Sequence, residues 1–354
     1  MRRMNIDRRE ILKLGGLAAV SLAAWPRGVP AAEGPRPGAA GPSRTGRKPV
    51  QVEALIVVSV SAAAVLLGIE KGYFRAEGLE LALREFPSGT MALQTWKAGA
   101  GYIMHTGDLP SLTYWFQNPE DYRVIAPYER SAKRYGAVVK AEIAGPQDLK
   151  GKTIATRVGS TGSYFVSRYF RRHRIDPKDV TLVNLEPNQM VPALDRWDID
   201  GFFIWEPHLE IALKTSGGKV RKLTTAEGYV NGYAIHGARP KWIQEDPAGV
   251  HGYLRALRRA ATEVMQEKAL AGRLLEKQYG LKAQDAIPQL DLLGYVMAYD
   301  KLFFDDFADQ FRWAKEEGII KPASATLDFA KWCYLDGLRA VDPKLVFPLP
   351  APVT

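Results

Sequence analysis

The sequence predicts an α/β protein of two lobes, each a mainly parallel sheet flanked by helices, with a ligand cleft between the lobes. Three observations carry that expectation. From residue 54 onward, strand-like apolar runs alternate with helix-like runs, which is the pattern of crossover units in a parallel sheet. The alternation comes in two sets, divided by the turn-rich Ala144-Gly145-Pro146. Of the 354 residues, about 300 remain once the N-terminal segments are set aside, which suits two domains better than a single core near its size limit.

Asp7-Arg8-Arg9-Glu10-Ile11-Leu12-Lys13, a Gly/Ala-rich apolar run to Trp25 and Val29-Pro30-Ala31 follow the order of an export leader, basic then apolar then small. The paired arginines point to the twin-arginine machinery. The apolar run is about half the ~20 residues a membrane helix needs. Residues 1–31 are therefore expected to be a removable signal, and residues 32–49, rich in Gly, Pro and Ala, a disordered tether. With no cysteine near the cleavage region, lipid attachment has no acceptor, and the expected state is a free periplasmic protein, a monomer. The formal charge of +9 divides into +4 for residues 1–31, +3 for 32–48 and +2 for the rest, so the body carries no broad phosphate-binding surface and no nucleic-acid partner is expected.

The first set pairs strands at 54–60, 79–86 and 102–104 with helices at 62–73, 91–98 and 109–115. The second places strands at 153–156, 180–184 and 201–205, with helices at 162–173, 189–197 and 207–215. From Pro247, apolar residues Val250, Leu254, Leu257 and Ala261 keep helical spacing, so this tail completes the first lobe. The first lobe is expected to comprise residues 50–143 plus 234–354 and the second 144–233, with crossings near 138–145 and 229–235. Cys333, the only cysteine, is expected as a buried thiol in a helix at 328–339.

Ligands of open parallel sheets bind beyond the carboxyl ends of strands, where loops lead into helix starts. Four such loops carry hydroxyls: Ser59-Val60-Ser61, Pro87-Ser88-Gly89-Thr90, His105-Thr106-Gly107-Asp108 and Gly159-Ser160-Thr161-Gly162-Ser163. Helix-start N–H groups with added hydroxyl donors favour an anion, although each hydroxyl alone also serves as a helix cap. The candidate ligand residues are Ser61, Ser88, Gly89, Thr90, His105, Thr106, Gly107, Asp108, Ser160, Thr161 and Ser163. Arg130, just past a strand at 124–126, adds a forked donor if it does not pair with Glu129. Trp205 and Glu206 offer an apolar wall and an acceptor, or else a core residue and a first-turn carboxylate. Phosphate-loop and dinucleotide motifs, histidine metal pairs and nucleophile elbows are all missing, so neither cofactor, metal nor catalytic residue is assigned.

Three stretches then resemble the periplasmic receptors for nitrate, taurine, alkanesulfonates and the thiamine pyrimidine precursor, of the type II periplasmic-binding-protein superfamily. They are the segment from Leu67-Gly68-Ile69-Glu70-Lys71-Gly72-Tyr73-Phe74 to Gly78-Leu79, Asp148-Leu149-Lys150-Gly151-Lys152-Thr153-Ile154-Ala155 with Gly159-Ser160, and Ala193-Leu194 through Asp200-Gly201 to Trp205-Glu206-Pro207. The resemblance implies a non-enzymatic importer receptor that closes its lobes on a small molecule and delivers it to an ABC permease with its ATPase. It also implies that Ser61, Gly89-Thr90, Thr106-Gly107-Asp108, Ser160-Thr161 and Trp205-Glu206 line the cleft. The family commonly has Ala-Gly-x-x-Asp before the third strand. This chain has Ala98-Gly99-Ala100-Gly101-Tyr102 there, with Asp108 further on. Asp108 and Glu206 inside the cleft suit a zwitterion, and the expected ligand is a small organic anion or zwitterion, with a sulfonate or taurine-like compound ahead of the pyrimidine precursor and nitrate. A desulfinase-like or pyrimidine-synthesis enzyme on the same fold, or a ligand sensor, are the alternatives.

Overall fold

Ala54, Leu55, Ile56 and Val57 form an unbroken apolar run, as expected of a strand covered on both faces. In the computed structural model, which describes residues 48–354, they lie in β1 (Val50–Val57), inside one compact unit. The leader expected at 1–31 and all but the last two residues of the tether expected at 32–49 fall outside the described residues. Among the described residues, no helix is long and apolar enough to cross a membrane.

β1 is followed by β2 (Leu79–Phe86), β3 (Ile103–Gly107), β4 (Arg123–Ser131) and β5 (Tyr135–Lys140). Then come β6 (Thr153–Thr156), β7 (Thr181–Asn184), β8 (Gly201–Trp205), β9 (Val220–Thr225) and β10 (Gly232–Ala238). They build two five-stranded sheets, ordered β2-β1-β3-β10-β4 and β7-β6-β8-β5-β9. β1 is parallel to β2 and β3, and β6 to β7 and β8. β10 runs antiparallel to both its neighbours, and so does β5. Each sheet thus has four strands in one direction and one reversed strand in fourth place, and that strand directly follows a passage from the other sheet.

This topology moves the expected crossings. The chain leaves the first sheet after Ser131 and enters the second at Tyr135, so residues 135–140, expected in the first lobe, belong to the second sheet. It returns between Thr225 and Gly232. The apolar run Ala137-Val138-Val139 is equally suited to either sheet. Only its pairing with β8 and β9 decides, and pairing is a non-local fact.

The helices fall close to their expected places, and their ends have local causes. The first, Ala63–Glu70, stops short of the expected 73 because Gly72 takes φ 69°, a left-handed conformation that ends helices. Ser88 accepts from Met91 N–H at 3.4 Å and Ser160 from Gly162 N–H at 3.1 Å, capping helices Gly89–Lys97 and Thr161–His173. The tail helix Pro247–Val264 buries Val250, Leu254, Leu257 and Ala261 and packs against Ala63–Glu70 beside the first sheet. Helix Lys301–Glu316 reaches the second lobe: Trp313 Nε1 donates to Ser167 Oγ at 2.9 Å, and its ring centroid lies 4.6 Å from that of Tyr164. The helix expected at 328–339 is broken into Phe329–Trp332 and Leu335–Val341 by extended backbone at Cys333. Its thiol is buried, and burial pushes its pKa well above the usual thiol value.

Candidate functional site

The carboxyl ends of β1, β2, β3, β6 and β8 deliver their loops to one cleft. Ten sequence-predicted residues line it: Ser61, Ser88, Gly89, Thr90, His105, Thr106, Gly107, Ser160, Thr161 and Trp205. The two capped helices aim their starts, and hence their positive dipole ends, at this space. Gly89 admits no side chain, since a Cβ there would lie 2.0 Å from Thr106 Oγ1. The missing Cβ lets the β2 and β3 loops close on each other, just as Gly107 lets Thr161 approach from the second lobe.

Four predicted residues stay outside the lining, each for a visible reason. Arg130 is engaged by Asp300, with Nη1 2.9 and 3.1 Å from its two oxygens. Ser163 Oγ donates to Ser160 O at 2.7 Å, within its own helix turn. Glu206 accepts from Glu210 N–H at 2.9 Å and lies 3.8 Å from Lys222 Nζ. Asp108 has both oxygens occupied: Oδ1 accepts from Leu109 N–H at 2.6 Å and from Thr161 Oγ1, and Oδ2 from Tyr233 N–H at 3.2 Å. Asp108 therefore ties the first lobe's loop to the second lobe's helix instead of facing a ligand. Contrary to expectation, both carboxylates are framework, and neither offers a zwitterion's amine a free acceptor in the cleft.

The residue that sequence reasoning missed is Arg134, on the short passage from β4 to β5. It is 3% exposed, lines the cleft, donates from Nε to Glu129 at 2.9 Å, and lies 4.3 Å over the Tyr135 ring. Neither of its terminal nitrogens makes a hydrogen bond among the described residues, so the fork is free for an anion. Burial works against its charge, but Glu129, Tyr135 and Asp108 together hold the guanidinium above its ordinary pKa. The sequence did hold a hint, the basic pair Lys133-Arg134 between two apolar strands. It became readable only once the crossing was known to lie there. Ser59, from the first predicted hydroxyl loop, also lines the cleft, as do Val57, Pro110, Tyr135 and Ala234, which were not foreseen.

Of the buried donors that lack partners among the described residues, Trp205 Nε1 and Thr106 Oγ1 belong to the cleft. An unsatisfied buried donor is costly unless something else pairs with it, and an anion's oxygens meet that need. His105 Nε2 lies 3.2 Å from Ser61 Oγ, which is itself 2.6 Å from Ser59 Oγ. This resembles a nucleophile and base in spacing only. Burial, with Arg134's charge second, drives the imidazole pKa down to about 3, too weak a proton acceptor to activate a hydroxyl at neutral pH, and its Nδ1 has no orienting partner among the described residues. No group of three His, Cys, Asp or Glu able to hold a metal is found among the described residues.

Two mixed sheets, each with one reversed strand beside its crossing, and a cleft at their strand ends define the class: the two-lobed type II periplasmic-binding-protein fold. Residues 59–270 match the model of the family described as NMT1/THI5 like, and the chain belongs to that family. It is 27% identical over 218 residues to a putative aliphatic sulfonates-binding protein of Bacillus subtilis, covering 59% of this chain and 64% of that one. It is 30% identical over 146 residues to the taurine-binding periplasmic protein of Escherichia coli, covering 41% of this chain and 45% of that one. The alignments thus span less than two-thirds of these curated relatives. The crystal structure of the Escherichia coli periplasmic aliphatic sulphonate-binding protein superposes with a TM-score of 0.69 at 18% identity, over 82% of this chain and 99% of that one. The desulfurization enzyme DSZB does so at 0.63 and 16%, over 83% and 99%, so the fold also carries an enzyme.

Proposed function

We propose that this chain is the periplasmic solute receptor of an ABC importer, taking a small organic anion of the sulfonate class into the interlobe cleft and closing on it. The observation that carries this reading is Arg134, a buried guanidinium whose free fork opens into a cleft that also holds the Trp205 N–H, the Thr106 hydroxyl and two helix starts. Three sulfonate oxygens need several convergent donors and one positive charge, and this set supplies them. The names of the relatives point the same way. Closure pivots on the two passages at 132–134 and 226–231, a hinge motion of the kind for which periplasmic binding proteins are a general example. The bound anion bridges the lobes, and the permease with its ATPase recognises the closed form.

A leader-directed route through the twin-arginine machinery to the periplasm belongs to the same proposal. So does a purely binding role. Cys333, the only thiol, is buried where its backbone pairs with Val124 at the edge of β4, and it does not line the cleft, which leaves a thiol-dependent desulfinase chemistry without its nucleophile. A thermal-shift screen of the mature protein against alkanesulfonates, taurine, nitrate, pyrimidines and carboxylic acids tests the reading. A sulfonate at 100 times its Kd stabilises by about 2.7 kcal/mol and raises the Tm accordingly. If sulfonates leave the Tm unmoved while a pyrimidine or nitrate shifts it, the ligand class is wrong. Turnover of a sulfinate would overturn the receptor role itself.

A further inference from the structure

A cleft excludes ligands by what it leaves unpaired as well as by what it pairs. To an anion this one offers Arg134, the Trp205 N–H and the Thr106 hydroxyl. Among the described residues that line it, none presents a carboxylate to an ammonium group. Asp108 holds Leu109, Thr161 and Tyr233, and Glu206 is taken by Glu210 N–H and Lys222. Glu129, the remaining nearby acid, is bound to the Nε of Arg134 and does not line the space. The apolar and aromatic part of the lining is Val57, Pro110, Tyr135, Trp205 and Ala234.

We infer that the cleft selects amine-free organic anions: a sulfonate with a short apolar tail is taken, and its ω-amino counterpart is rejected. This rests on the receptor reading above and names the substrate class within it. An ammonium group entering on a zwitterion loses its water shell, shares the cleft with the Arg134 guanidinium, and meets hydroxyls in place of an opposite charge. A methyl group of the same size in the same place packs against the apolar wall and loses nothing. Selectivity comes from the framework role of Asp108 and Glu206, because the two acids able to receive a cation are spent on the backbone, on Thr161 and on Lys222.

Two isosteric pairs, each differing by methyl for ammonium, test this by titration calorimetry on the mature protein at pH 7.5: 1-propanesulfonate against taurine, and butanoate against β-alanine. The expected result is that the methyl member of each pair that binds does so at least tenfold more tightly. Taurine binding within threefold of 1-propanesulfonate, or more tightly, overturns the inference and leaves the sulfonate reading intact. If only the carboxylates bind, with butanoate preferred by tenfold or more, the inference stands and the sulfonate head is wrong. If none of the four binds at millimolar concentration, both fall.

Discussion

Arg134 and Glu129 form the central charge pair of the molecule, and what each contributes differs in kind. Burial raises the Glu129 carboxyl to about 7, while the Arg134 charge works to lower it. Removing the guanidinium leaves a buried carboxylate without its partner, so Arg134→Ala is expected to cost about 3–5 kcal/mol of stability as well as binding. The double variant Arg134→Met with Glu129→Gln separates the two effects: denaturant unfolding should recover most of the stability, while calorimetry shows sulfonate binding still reduced at least 100-fold. Trp205→Phe keeps the wall and removes one donor. It should weaken the anion by about 1 kcal/mol, roughly fivefold, with no change in Tm of the unliganded protein. Ser61, Ser88 and Thr90, which hydrogen-bond to neighbouring side chains, are expected to matter less than these two.

At the scale of elements, the loop after β3 and the start of helix Thr161–His173 are joined through Asp108, Thr161 and Tyr233. Asp108→Asn retains one acceptor oxygen but sets an amide N–H₂ against the Tyr233 N–H, so the junction loses a hydrogen bond. Ligand affinity should fall about tenfold, with the unfolding of each lobe little altered. Titration of the same elements makes stability depend on pH. Burial holds His105 at about 3 and His236, its cross-strand partner on β10, well below its usual value, so both imidazoles are neutral in the native state. An unfolded imidazole takes a proton near 6.5, so below that pH the unfolded chain gains protons that the native state refuses, and stability falls as pH drops. Asp108 acts in the opposite sense. Burial raises it to about 6, so between about 4 and 6 the native state keeps a proton that the unfolded state has shed, and stability falls as pH rises. Chemical denaturation from pH 4 to 8 should therefore show a steeper acid-side loss in Asp108→Asn than in the parent and a shallower one in His105→Gln.

For the whole molecule, the lobes are joined through Asp108 to Thr161, Trp313 to Ser167, Tyr164 and Arg168 to Asp309, Arg171 to Glu316 and Lys214 to Asp285. The exposed ion pairs among them are surface contacts and add little. Bonds that are mostly solvent-accessible suit reversible opening. Small-angle scattering should record a smaller radius of gyration with saturating sulfonate than without it. The Arg134→Met, Glu129→Gln variant should not contract under the same conditions, since its closure no longer draws on a bridging anion.

Much of this was open to reading along the chain. The alternation of β1, β2 and β3 with their helices, the second set from β6 to β8 and the hydroxyl loops at their ends follow from local apolar period and capping, which neighbouring residues determine by themselves. Ten of the cleft's lining residues were accessible that way, because a loop at a strand's carboxyl end is a position in sequence as much as in space. Strand pairing and burial are different, since they depend on partners far along the chain. Only the tertiary structure assigned β5 to the second sheet, put Arg134 at the crossing with Glu129 behind it, and gave Arg130 to Asp300. It also withdrew Asp108 and Glu206 from the cleft. A carboxylate reads the same in a sequence whether its lone pairs face a ligand or are already filled by backbone N–H groups, and that difference decides which charges the cleft presents to an incoming molecule.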